Sequence, residues 1–297
     1  MFKGVFTPAI TVFNDDGSLD WKGNEDVLHH LVDQGMNGVL ILGSIGEFFS
    51  LSVSEKKQYI SFAIKAVDGK IPVLVGTGHT NVDEVIEITS FAEKEGAAAA
   101  VVVSPYYLKL EEDSLYQYYA DIAQSTKMPI MLYNFPDRTA ISLSPELVLR
   151  LATDFQNIVG IKDSIDSMSH TRKLISLVKE KRKDFCIFSG FDEYLILNLM
   201  AGGDGTIGGL SNVAPKLFVD LFNAYNAKDF DLVYSLQNKV NTLMDIYDVS
   251  QPFVSSIKGA AAIMGRKIGY SMRKPSITLE SSQLEKIRTI LKKADMI

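Results

Sequence analysis

Two short apolar runs end on residues that a purely structural core would not select. Ile158-Val159-Gly160-Ile161 runs into Lys162, and Pro129-Ile130-Met131-Leu132 runs into Tyr133. A lysine at the end of a buried strand is a candidate amine nucleophile. An ammonium that loses hydration gives up its proton more readily, and the free amine can attack a carbonyl to form a Schiff base. A phenol one strand away could move the protons that such a step needs. Read singly, Lys162 fits equally well a strand-end lysine whose stem covers apolar surface while its head reaches water.

The elements that would position this pair are legible in the pattern around it. Runs rich in Val and Ile alternate with longer stretches of helical periodicity, as in parallel strands joined by crossover helices. Strands are predicted near residues 4–12, 38–43, 72–77, 98–104, 129–134, 158–162, 185–190 and 204–208. They are continuously apolar, as expected when both faces of a sheet are buried. Helix starts are marked by Ser52 with Glu55, by Asn81 with Glu84 in what resembles a capping box, and by Ser144-Pro145-Glu146. Val82, Val85, Ile86 and Thr89 share one face of the helix that Asn81 opens.

Eight such units within about 225 residues fit a closed (β/α)8 TIM barrel, in the α/β class, better than an open doubly wound sheet. Beyond Asn226 the strand signal stops. Leu232, Leu236, Val240 and Leu243 predict one helix there, and Leu284, Ile287, Ile290 and Leu291 the last one. The expected organisation is a catalytic barrel over residues 1–226 and a C-terminal helical appendage over 227–297 packed on it, with no low-complexity linker between them.

Composition narrows the function classes. The chain has 297 residues, 46% of them hydrophobic, enough for a substantial core. A formal charge of -6 and the absence of a basic stripe interleaved with aromatics argue against nucleic acid as a partner. The one dense cationic stretch, Lys179 to Lys183, suits the C-terminal end of a helix. Cys186 is the only cysteine, which excludes an intrachain disulfide and suits a reducing cytosol. Met1-Phe2-Lys3-Gly4 lacks the features of a signal peptide, and no apolar run is long enough to span a bilayer. The expectation is a cytoplasmic protein with no membrane partner.

In a barrel of this kind, functional groups sit at the C-terminal ends of strands and in the loops that follow. Gly43-Ser44-Ile45-Gly46-Glu47 could turn its backbone N–H groups on a small carboxylate, and Ser44 could pass a proton to Tyr133; the same segment also reads as an ordinary strand-to-helix turn. Tyr106 and Tyr107 fit packing or interface aromatics. Arg138 fits either a bidentate clamp for a substrate carboxylate or a surface pair with Asp137 or Glu146. Gly203, Gly205 and Gly208 spell GxGxxG, but they follow a predicted helix and enter a predicted strand, the opposite of the dinucleotide-binding context. No GK[ST] phosphate loop is present, and His29, His30, His79 and His170 show no metal-ligand spacing, so an aldolase built on this chain is expected to use an amine, without metal or cofactor.

Taken together, GSIGE at 43–47, PYY at 105–107, YNFPDRT at 133–139, GIKDS at 160–164 and GFDE at 190–193 resemble the dihydrodipicolinate synthase and N-acetylneuraminate lyase family, almost end to end. The resemblance implies that Lys162 forms an imine with pyruvate and that Tyr133 is the general acid and base at the aldehyde oxygen. It implies that Ser44 and the backbone at Ile45 hold the pyruvate carboxylate, and that Tyr107 extends across a subunit interface to complete a proton relay in a homotetramer of paired dimers. Glu47, Arg138, Gly190, Asp192, Glu193 and Ile207 complete the substrate-binding set expected from it.

Substrate choice divides the motifs. GSxGEF at 43–48, GTGxTN at 76–81, PYYxK at 105–109, LYNFP at 132–136, IKDxIDS at 161–167 and QPFVxxIK at 251–258 are most similar to the 2-keto-3-deoxy sugar acid aldolases of the family, which implies reversible cleavage of such an acid to pyruvate and an aldehyde. Arg138 within PDRT is instead what a synthase uses to hold aspartate semialdehyde, so synthase activity stands as the alternative. Phe48 and Phe49 replace small residues found in several synthases near their lysine-inhibitor site, which argues against lysine feedback. Asp192 and Glu193 match the motif that holds sialic acid hydroxyls in the lyases, which keeps N-acetylneuraminate cleavage open. A barrel that only binds a sugar acid is the remaining reading.

Overall fold

Eight short parallel strands, each followed by helix, close on themselves in a computed structural model that describes residues 2–297. The strands are β1 (Gly4–Pro8), β2 (Gly38–Ile41), β3 (Val73–Gly76), β4 (Ala99–Val103), β5 (Ile130–Asn134), β6 (Ile158–Asp163), β7 (Cys186–Ser189) and β8 (Gly205–Ile207), hydrogen-bonded in chain order with β8 returning to β1. This is the TIM barrel. Closure depends on Gly205, whose φ is +153° and where a Cβ would lie 1.8 Å from the Gly4 carbonyl oxygen. That close approach explains a glycine of the rejected GxGxxG run.

Side chains alternate across each strand, so one set fills the barrel and the other packs under the helices. Phe6, Leu40, Leu74, Val101, Met131, Tyr133, Cys186, Phe188 and Ile207 form the inner cluster. Ile130, Leu132, Ile158, Ile161 and Ile187 belong to the larger outer core. Every strand ends within a residue or two of expectation except β1. β1 stops at Pro8 rather than near residue 12, because the amides of Ile10 and Val12 donate to the side chains of Asn212 and Asn24 instead of to a neighbouring strand. β6 runs one residue further, through Asp163.

Helix signals hold with one exception at a cap and one at a face. Ser52 and Glu55 form a reciprocal capping box, and Ser144 caps a helix with Pro145 in its first turn. At Asn81 only half a box forms: its side chain accepts from Asp83 N, while its own N–H donates to His79 Nδ1. In the helix Phe230–Leu243 the buried stripe is Val233, Val240 and Leu243, and Leu232 turns outward. Lys179 and Lys181 do lie in the last turn of a helix, Met168–Lys181.

After the eighth barrel helix, Pro215–Ala227, the chain continues as helices only: Phe230–Leu243, a 3-10 segment Met244–Asp248, Val254–Ile263 and Ser281–Lys293. The Val254–Ile263 helix touches the 3-10 turn Gly209–Asn212 that follows β8, which sets C-terminal residues over the barrel mouth. Among the described residues no helix is long and apolar enough to cross a membrane.

Candidate active site

Lys162 and Tyr133 are direct register partners across β6 and β5, and both point into the barrel. The lysine is only 3% exposed, and its Nζ lies 4.2 Å from the centre of the Tyr133 ring. Tyr133 is stacked on Phe135 with ring centres 5.8 Å apart, and its hydroxyl is 3.4 Å from Ser44 Oγ. Amine, phenol and alcohol therefore converge from three strand ends.

The rigidity of this pair comes from the next residue along each strand. Asn134 and Asp163, also register partners, face the opposite side, where Asn134 Nδ2 donates to Asp163 Oδ1 at 2.8 Å. Asp163 Oδ2 accepts from Thr171 Oγ1 at 3.0 Å and lies 3.1 Å from His170 Nδ1. Asn134 Oδ1 accepts from Leu143 N at 3.0 Å, and His170 Nε2 meets Leu143 O at 3.1 Å. The hydrogen bond to Asp163 holds the His170 imidazole above its ordinary pKa, against the burial that opposes it.

The convergent groups line a cleft of about 330 Å³ with Pro8, Ile45, Arg138, Gly190, Asp192 and Ile207. Its far wall comes from the C-terminal helices through Asp245, Tyr247, Asp248, Gln251 and Phe253. Asp192 is buried; Tyr247 Oη donates to its Oδ2 at 2.6 Å and Leu210 N to its Oδ1 at 3.1 Å. Burial pushes the Asp192 carboxyl up to about 7, with the Tyr247 hydrogen bond acting against the rise.

Arg138 makes neither of its anticipated surface pairs. Its guanidinium sits 5.5 Å from the Phe135 ring and 5.4 Å from the Phe253 ring, and donates only to the Asp137 backbone oxygen at 3.3 Å. Among the described residues it has no carboxylate partner, so it stands at the cleft wall free to meet an anion.

Three expected site residues lie outside the cleft of this chain. Glu47 does not line the cleft: its carboxylate is turned away from the barrel mouth and buried against Lys258 of the Val254–Ile263 helix. Glu193 lies beside Asp192, but its side chain is turned from the cleft because successive residues of that turn point apart. Tyr107 is 93% exposed, at a φ of +79°, and reaches nothing in the cleft of its own chain. Sequence reasoning missed Asn134, Asp163 and His170, although the first two adjoin the catalytic pair within motifs already singled out. It also missed Tyr247 and Lys258. A lysine within the otherwise apolar and small Val254–Ile263 stretch was a usable signal; for Tyr247 there was none.

The dihydrodipicolinate synthetase family matches residues 1–294. YagE of Escherichia coli K12, provisionally named a 2-dehydro-3-deoxy-D-gluconate aldolase, is 38% identical over 291 residues, covering 98% of this chain and 96% of that protein. YjhH of the same organism, provisionally named a 2-dehydro-3-deoxy-D-pentonate aldolase, is 37% identical over 290 residues, with 98% and 96% covered. A 4-hydroxy-tetrahydrodipicolinate synthase from Thermotoga sp. strain RQ2 is 34% identical over the whole of both chains. The crystal structure of YagE in complex with pyruvate superposes with a TM-score of 0.98 at 37% identity, covering both chains completely.

Proposed function

We propose, from the premise that this chain belongs to the dihydrodipicolinate synthetase family, that it is a class I pyruvate-dependent aldolase acting reversibly on a 2-keto-3-deoxy sugar acid. The observation that carries the reading is the buried Lys162 amine 4.2 Å from the Tyr133 ring, in a cleft lined by groups for both halves of such a substrate. The names of YagE and YjhH support the substrate class.

In the cleavage direction the Lys162 amine adds to the keto carbon and water leaves, giving a protonated imine. Tyr133 takes the proton of the C4 hydroxyl as it passes its own toward Ser44. The C3–C4 bond then breaks, and its electron pair moves into the imine, which becomes an enamine as the aldehyde departs. Protonation at C3 and hydrolysis release pyruvate and restore the amine. Ser44, 3.4 Å from the Tyr133 hydroxyl, is placed to relay the proton and, with the Ile45 backbone, to hold the keto-acid carboxylate. Asp192 is suited to accept hydrogen bonds from hydroxyls of the aldehyde half, and Gly190 and Ile207 shape the cleft beside it. The lysine imine serves as electron sink, so this chemistry calls on no metal or cofactor.

Tyr107 belongs, in this reading, to a contact between subunits of a homotetramer, where its exposed ring and the exposed side chain of Leu108 beside it would be covered. The compartment that suits a single buried thiol is the cytosol.

Arg138 favours a second reading. An unpaired guanidinium at the cleft wall suits an aldehyde with its own carboxylate, such as aspartate semialdehyde, and hence synthase activity. A coupled assay of pyruvate release from 2-keto-3-deoxygluconate and its galactonate epimer separates the two. Lysine-dependent release supports the aldolase. No release, with consumption of pyruvate and aspartate semialdehyde that Arg138→Ala abolishes, supports the synthase.

A further inference from the structure

The ion pair between Glu47 and Lys258 lies outside the cleft, yet both side chains are fully buried. Removing two charges from water is unfavourable, and an apolar pair of similar volume often stabilises a fold as well, so such a pair needs a conformational explanation. The local backbone offers one. Glu47 ends the Gly43–Glu47 turn in a left-handed conformation, φ +53° and ψ +38°, which is costly for a residue with a side chain.

The turn is packed tightly beneath: Thr11 Oγ1 donates to Gly46 O at 2.7 Å, and a Cβ at Gly46 would come within 3.1 Å of the Ala9 carbonyl oxygen. Above it the C-terminal region closes like a clamp. Lys258 Nζ reaches Glu47, donates to Ser271 O at 3.1 Å and lies 4.7 Å from the Phe13 ring. Arg273 stacks on the same ring at 4.6 Å, donates to Glu55 at 2.5 and 3.0 Å and to Ser50 O at 2.9 Å. The loop that presents Ser44 to the cleft is thus tied at Glu47 by one buried cation and fastened further along by the partly buried Arg273.

We propose that Lys258 is a positioning residue for keto-acid binding: by holding Glu47 in its left-handed conformation it sets the Gly43–Glu47 turn so that Ser44 and the Ile45 backbone face the substrate carboxylate. The inference rests on the aldolase reading above and deepens it, giving the C-terminal helices a part in binding pyruvate through a residue that never touches it.

Borohydride trapping of pyruvate on the full-length chain, followed as a function of pyruvate concentration alongside thermal unfolding, tests this. Lys258→Met leaves a buried carboxylate unpaired and is expected to lower thermal stability. Glu47→Met combined with Lys258→Met should recover much of that stability. Its half-saturating pyruvate should stay raised about tenfold, with trapping at saturation intact, because only the geometry of the turn has been lost. Ile287→Ala, a core substitution in the Ser281–Lys293 helix, should lower stability and leave half-saturation unchanged.

A double variant that traps at the wild-type concentration overturns the proposal, and so does an Ile287→Ala protein with the same rise in half-saturation. If the methionine variants do not fold, Glu47→Gln, which keeps shape and an acceptor for Lys258, is read in the same way. A rise of about threefold is expected from the weaker uncharged acceptor, and wild-type half-saturation overturns the proposal. Failure of the unsubstituted chain to trap pyruvate overturns the aldolase reading itself, and this inference with it.

Discussion

Asn134 and Asp163 hydrogen-bond at 2.8 Å on the outer face of the same register pair whose inner face carries Tyr133 and Lys162. Each reactive residue is followed by a polar residue that ties its strand to the other's. The tie extends to His170, Thr171 and Leu143, so the spacing of amine and phenol is set by a network outside the barrel.

Removing the tie should cost both stability and rate. Asn134→Ala leaves a buried carboxylate oxygen and the Leu143 amide without their partner, a loss of about 1–3 kcal/mol. Urea unfolding checks the first effect, and steady-state kinetics should show a fall in kcat from the loosened pair. Unchanged kcat in a destabilised protein would confine Asn134 to folding.

Tyr133→Phe separates the two chemical roles. The imine step needs the Lys162 amine, so borohydride trapping of pyruvate should persist, while cleavage should fall by about 10²–10⁴-fold with loss of the phenol proton. Turnover close to wild type would remove Tyr133 from the mechanism.

Stability should depend on pH through His170. Both ring nitrogens face acceptors, Asp163 Oδ2 and Leu143 O, so the protonated ring satisfies both, and the folded pKa is raised. A raised folded pKa gives stability that is complete below the unfolded value, about 6.5, and is lost as pH climbs through the folded value. Thermal unfolding midpoints should therefore fall as pH rises past neutrality, and His170→Gln should flatten that dependence. Parallel profiles for the two proteins would contradict the assignment.

Activity on a polyhydroxylated substrate should carry a limb from Asp192. With its carboxyl pushed up to about 7, only the ionised form, present above that pH, offers full acceptor capacity to substrate hydroxyls. The kcat/KM for a sugar acid should rise through neutrality, and Asp192→Asn should lower it and remove the limb. A limb that survives the substitution belongs to another group.

Much of this was legible in the sequence because barrels are built from local signals. Apolar runs mark the strands from β2 to β7, the alternation with helices marks β1 and β8, and the change of residue type at Tyr133 and Lys162 marks where two strands open on the cleft. What escaped depends on contacts that periodicity cannot carry. Glu47 belongs to a motif whose other members face the substrate, yet a left-handed backbone turns it to a lysine more than two hundred positions away in the chain. Tyr247 reaches Asp192 only because the C-terminal helices fold back over the barrel mouth. The sequence alone does not separate a clamp from a surface pair at Arg138, because Phe253, one of the two rings that hold it at the cleft wall, comes from the C-terminal region.

The most direct test of the central claim is peptide mapping after borohydride reduction in the presence of pyruvate. The account expects a single reduced pyruvate adduct on the peptide containing Lys162, absent from Lys162→Ala. An adduct on another lysine, or one that persists in Lys162→Ala, would contradict it.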